Sequence, residues 1–159
     1  MPGAGETEKT GAAGPPGAGF LLRKACLVAL GLLVAGSSGC GGPITNDELG
    51  RGIETLGATA SEGRLIALGA AQNRTKVTFV RVEARALATD AEHEAEKLND
   101  AQAQPGNAKV KDQAVKLARD IDSALVDLQI SPTNRRGAKH VADKLAQLST
   151  RADALGNEL

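Results

Sequence analysis

Val110, Ala114, Leu117, Ile121, Ala124 with Leu125, and Leu128 follow one another at spacings of 4, 3, 4, 3 and 4 residues, with no glycine or proline between them. That rhythm keeps one face of a 3.6-residue helix apolar over about five turns and leaves Lys, Asp, Gln and Arg to the other. A sheet, whose side-chain period is 2, cannot satisfy such a stripe, and an isolated helix is marginal in water. The chain must therefore supply further helices with matching stripes.

It supplies them on both sides. Upstream, Val77, Phe79 or Val80, Ala84, Leu87, Ala91, Ala95 and Leu98 recur at helical spacing to about Ala103; downstream, Ala138, Val141, Leu145, Leu148, Ala152 and Leu155 do the same. Such 4-and-3 spacing suits packing of the coiled-coil type. A fourth stripe, Leu49, Ile53, Leu56 and Ala60, follows Thr45-Asn46-Asp47-Glu48, which has the form of a capping box. Leu65, Ile66 and Leu68 then shift that stripe around the helix. Val77-Thr78-Phe79-Val80-Arg81-Val82 has the propensity of a strand, but nothing nearby could pair with it and its flanks are helical.

Gln104-Pro105-Gly106-Asn107 is the clearest turn, with Asn107 as the expected cap of the next helix; Ser131-Pro132 repeats the device, a cap followed by proline at the first helical position. Gly69-Ala70-Ala71-Gln72-Asn73 is the break expected between the first two helices. Four segments of roughly 23–29 residues, about 35–43 Å each, match in length, so the fold class is all-α, an up-down-up-down four-helix bundle. The alternative is a three-helix bundle whose long first helix runs kinked from about 47 to 103, since no proline enforces the first break. Gly50, Gly52, Gly57, Gly63 and Gly69 each cost a helix about 1 kcal/mol relative to Ala, which makes the first helix the weakest unless they let neighbours approach closely.

Charge supports the hairpin at Pro105-Gly106. Asp90, Glu92, Glu94, Glu96 and Asp100 precede it and Lys109, Lys111, Lys116 and Arg119 follow it, so folding back lays an acidic block beside a basic one. The core has to be aliphatic, because the chain has no Trp or Tyr and only Phe20 and Phe79.

Chemistry is sparse in this pattern. From Cys40 onward 16 Lys or Arg stand against 17 Asp or Glu, so no basic field for nucleic acid is expected. Asp90 with His93 and Glu94 resembles the Glu-x-x-His element of di-iron bundles, but that site needs a second such pair, and the sequence has only one other histidine, His140. A metal-dependent enzyme built on these three residues is accordingly the least favoured reading; solvated histidines are the better one, with no metal or cofactor expected. Ser37, Ser38, Thr75, Thr78, Ser123 and Ser149 have no histidine placed as a base, and the glycines of 50–69 lack the Lys-Ser/Thr ending of a phosphate loop. No catalytic residue is expected.

The remaining signal lies upstream. Arg23 and Lys24 precede an apolar run, Ala25–Ala35, of 11 residues, against roughly 20 for a bilayer span; Gly36-Ser37-Ser38-Gly39 follows, and then Cys40. This arrangement resembles a bacterial lipoprotein export signal, with Ser38 and Gly39 fitting its small-residue pattern and Ser37 departing from the usual Leu. The resemblance implies cleavage before Cys40, a lipid such as palmitate on its thiol, and an anchor in the cell membrane or outer membrane facing outside the cytoplasm. Ordinary secretion and an uncleaved anchor are the alternatives, and an unmodified Cys40 thiol goes with them. Residues 1–22, rich in Gly, Pro and Ala, read as disordered, and Leu22-Arg23-Lys24 would make an ordinary positive start, which puts a candidate translation start near Leu21 or Leu22.

The expected organisation is a disordered extension over 1–22, a signal peptide over 23–39, a lipid tether over 40–46 and the bundle over 47–159. The expected function is that of a lipid-anchored, non-catalytic envelope protein whose partners are the membrane, through Cys40, and an unidentified envelope protein or the cell wall. The alternative is a binding module in which the Ala/Gly-rich faces of 50–70 leave a groove for an apolar ligand or partner helix.

Overall fold

Thr45 closes the capping box that its sequence spells: its hydroxyl accepts from the Glu48 amide at 3.2 Å, and the Glu48 carboxylate accepts from the Thr45 amide at 2.9 Å. From this cap runs α1 (Asn46–Ala71), followed by α2 (Val77–Asp100), α3 (Ala108–Ile130) and α4 (Arg135–Gly156). The computed structural model describes residues 43–159. The extension over 1–22, the signal over 23–39, Cys40 and the first part of the tether lie outside the described residues.

The four helices form an all-α four-helix bundle, and the break after Ala71 removes the three-helix alternative. That break falls slightly later than Gly69, which stays helical. Asn73 adopts a left-handed φ of 55°, which Asn tolerates better than most residues, and the Arg74 amide bonds back to the Gly69 carbonyl at 2.9 Å. The segment Val77–Val82 is helical, as its flanks require.

Packing within the bundle is uneven. The closest seams are α1 against α4 and α2 against α3; α1 also touches α3 across the diagonal, whereas α2 and α4 do not meet. Glycines account for the α1 side of this pattern. A Cβ added to Gly57 would stand 3.2 Å from the Ala152 Cβ on α4, and one added to Gly63 would stand 2.6 Å from Leu125 Cδ2 on α3 and 3.2 Å from Leu145 Cδ1 on α4. The glycines that weaken α1 as an isolated helix thus let two neighbours reach its backbone.

The aliphatic stripes meet as expected along α3 and α4, and Leu49, Ile53, Leu56 and Ala60 are buried in α1. Two details differ. The α1 stripe does not turn at Leu65; it continues through Gly63, Ile66, Ala67 and Ala70, and Leu65 faces solvent. In α2 the stripe takes Val80 and leaves Val77 and Phe79 exposed.

The connections also depart from expectation in instructive ways. Asn107 stands at the N-cap of α3, but its backbone is helical and its side chain makes no cap; its amide instead donates to the Asn46 side chain at the start of α1. Gly106 supplies the left-handed φ of 103° that this turn needs. Ser131 ends α3 and does not begin α4: the turn runs through buried Pro132, and Asn134 caps α4 by accepting from the Gly137 amide at 3.0 Å. The tether expected over 40–46 ends sooner than 46, since Ile44 is buried in the core and its amide donates to the Gln102 carbonyl at 2.7 Å, pairing 44 with 103 as an isolated bridge.

The acidic and basic blocks of α2 and α3 do lie on adjacent helices, yet among the described residues no ion pair links them. Lys111, expected as a solvated hairpin charge, reaches past the carboxylates to the last carbonyls of α2, donating to Asn99 O at 3.1 Å and Ala101 O at 2.9 Å. A cation on those carbonyls neutralises the negative end of the helix. The hairpin is therefore held by its apolar seam and this cap.

Two sets of substitutions test the packing, read by urea titration. Leu117→Ala should cost about 2–5 kcal/mol and Lys116→Ala under about 1, with Lys111→Ala between them at about 1–2 because it strips two carbonyls of a charged donor. Gly50→Ala, whose Cβ would meet only Leu159 Cδ1 at an ordinary 3.6 Å, should stabilise by up to about 1 kcal/mol. Gly63→Ala should lose that gain to overpacking and come out neutral to about 2 kcal/mol destabilising. Equal gains at both glycines would remove the close-packing account of α1.

Candidate functional site

The residues with the most chemistry in the sequence are not brought together. Asp90 and His93 are exposed on α2, and Glu94 turns away from them to Lys97 at 3.2 Å. Among the described residues no three of His, Cys, Asp and Glu lie close enough to hold a metal ion. His140 borders a recess of about 280 Å³ between the end of α3 and the start of α4, beside Asp127, Ile130 and Asn134. Ser149 shares a hydrogen bond with Ser61 at 2.9 Å, which ties α4 to α1. Cys40, the expected lipidation site, lies outside the described residues.

The groove expected along 50–70 is closed over most of its length, because α4 and α3 fill the notches at Gly57 and Gly63. Openings remain near the start of α1, among them a cleft of about 430 Å³ between the start of α1 and the end of α2, with Ile44, Gly52, Thr55 and Ala101 as its small or apolar lining and Arg51 and Lys97 at its rim. Glu48 also borders it. Hydrogen bonds from the Thr45 amide and hydroxyl hold that carboxyl below its ordinary value of 4.5. A second opening, about 560 Å³, separates α2 from α3 on the wet side and collects Glu92, Glu96, Asp100 and Asp122 around Arg119. Burial pushes the Asp122 carboxyl up, and the facing charge of Glu92 adds to it.

The strongest asymmetry lies along the bundle axis. The α1–α2 and α3–α4 turns share one end, where the Arg135 guanidinium donates to the Asn73 side chain when that amide presents its oxygen. Pro43, the α2–α3 turn and Leu159 share the other, joined by the Ile44 and Asn46 contacts and by Leu159 against Gly50. Residues 61–85 and 126–144, which build the Asn73 end, carry nine Lys or Arg against Glu62, Glu83, Asp127 and Asp143. The opposite end, built from 43–56, 92–116 and 150–159, carries ten Asp or Glu against six Lys or Arg. The balance seen in the composition is thus an average over a basic end and an acidic one.

Large exposed apolar side chains gather at the basic end. Leu65 is 68% exposed, Phe79 50%, Val82 58% and Ile130 70%; Val77, also exposed, belongs to the same end. Sequence periodicity gave no warning of this cluster, because its members come from three helices and Val77 and Phe79 read as part of the α2 stripe. The one available signal was Phe79, the sole aromatic after Cys40. No helix among the described residues is long and apolar enough to cross a membrane. Compared with protein-family models, with curated proteins and with solved structures, the chain finds no match.

The Glu48 cap makes a pH prediction. A carboxyl whose folded pKa is lowered contributes stability above its ordinary value and loses it as pH falls through the lowered one. Thermal melts should therefore show Glu48→Ala less stable than the parent near neutral pH, with the difference closing in acid. A difference independent of pH would mean that Glu48 does not act through its charge.

Proposed function

We propose that the protein is a lipid-anchored, extracytoplasmic, non-catalytic helical bundle, held to the cell membrane or outer membrane through Cys40 and contacting an envelope protein or the cell wall. The observation that carries this reading is the polarity of the bundle. Pro43, three residues after Cys40, opens one end, while the exposed apolar and basic side chains occupy the other. Three residues of chain span at most about 11 Å, so a lipid on Cys40 would keep the acidic end within reach of its bilayer.

The interior agrees with a binding role in preference to catalysis. Thr59 is the only buried polar residue among those described, and its hydroxyl is satisfied by the Thr55 carbonyl at 3.0 Å. Acid, base or nucleophile chemistry draws on several titratable groups brought together and tuned by burial, and among the described residues no titratable side chain is fully buried. The second reading, a module for an apolar ligand or partner helix, keeps one supporting feature in the cleft between the bases of α1 and α2.

Metabolic labelling with palmitate tests the anchor. The full chain should incorporate label and shift in mobility on processing, and Cys40→Ala should do neither. Labelling or normal maturation of Cys40→Ala would end the proposal, whatever the folded domain itself adheres to.

A further inference from the structure

We infer that the basic end of the bundle is a docking surface for anionic lipid membranes, which it meets end-on. Leu65 lies six residues before the end of α1, Val82 five residues into α2 and Ile130 at the end of α3, so at 1.5 Å per residue all stand within about 9 Å of that end. Phe79 lies between, two residues into α2.

Their placement around the bundle selects the occupant. A partner helix or a peptide in a groove touches one side of a bundle, whereas these exposed side chains come from three helices. What they share is one end of the bundle. The boundary between lipid headgroups and acyl chains receives apolar side chains to a depth of about 5–10 Å, which matches the band they occupy.

Charge points to the same partner. Arg74, Lys76, Arg81 and Arg85 surround Phe79 and Val82, and Arg135 and Arg136 stand across the end from them. Among the described residues the cations of this end form one ion pair, Lys139 with Asp143 at 3.1 Å. The remaining long side chains can lay their methylenes along apolar surface and carry their charge up to phosphate. The acidic opposite end makes the molecule a dipole that approaches an anionic surface basic end first. The inference concerns the folded segment alone and does not depend on Cys40 carrying a lipid.

Co-sedimentation of Gly41–Leu159, a compact unit with its own aliphatic core, tests it. Vesicles of phosphatidylcholine and phosphatidylglycerol in equal parts should bind at least about tenfold more tightly than phosphatidylcholine alone, and Arg81→Glu with Arg85→Glu should abolish the difference. Phe79→Ser with Val82→Ser, both on solvent-facing positions, should weaken binding with helicity unchanged by circular dichroism. Because the chain has no tryptophan, Phe79→Trp gives a sole reporter whose emission should shift to the blue on anionic vesicles, while Lys109→Trp at the other end should not shift. Equal partition between the two vesicle types would overturn the inference and leave the end to a protein partner. Anionic binding indifferent to Phe79 and Val82, or a shift at Lys109→Trp and not at Phe79→Trp, would overturn it as well.

Discussion

At Gly63 three helices meet with no side chain from α1 between them: Leu125 from α3 and Leu145 from α4 both rest against the α1 backbone. An aliphatic interior without Trp or Tyr has few large side chains to fill space, so close approach of backbones must do what aromatic rings do in other cores. Gly57 against Ala152 extends the same contact along α4. α2 packs mainly on α3 and meets α1 more sparsely, at Gly52, where an added Cβ would stand 2.6 Å from Glu94 Oε1 and 3.4 Å from Leu98 Cδ2 beside the cleft at Ile44. The close seams of α1 with its neighbours follow from where α1 lacks side chains.

What the sequence made legible was what has a period. The stripes of α3 and α4 and most of α2 could be read directly, because burial of one helical face repeats every 3 or 4 residues. Contacts that occur once have no such signature. Lys111 bonding to the end of α2, Asn107 bonding to Asn46, and Asn134 in place of Ser131 as the cap of α4 each depend on where two chain segments come to lie. Ser131-Pro132 has the local form of a helix start, but Pro132 is buried in the turn and the first helical amides are satisfied three residues later.

The candidate surface was hidden for a related reason. Net charge is a sum, and a sum near zero conceals an arrangement in which two turns place their cations at one end and the acidic block of α2 lies at the other. Exposed apolar residues were hidden by the stripes themselves, since Phe79 beside Val80 and Leu65 beside Ile66 read as extra members of a core face. The two histidines, which sequence reasoning examines first, lie apart, His93 exposed on α2 and His140 beside the α3–α4 turn. The surface that remained is defined by position on the bundle and not by residue type.

The junction of Pro43 with the bundle has a mechanical consequence. Ile44 is buried, its amide is bonded to Gln102, and the next residue caps a helix that runs nearly the full length of the molecule. Tension applied to the chain upstream, against a load at the far turns, would act parallel to the helix axes. Under that geometry α1 cannot peel away one turn at a time; it has to slide as a unit past α4, breaking the seams at Gly57 and Gly63 together. Shear of this kind resists force better than unzipping, so the same glycines that shape the core also make the bundle a stiff strut between its two ends.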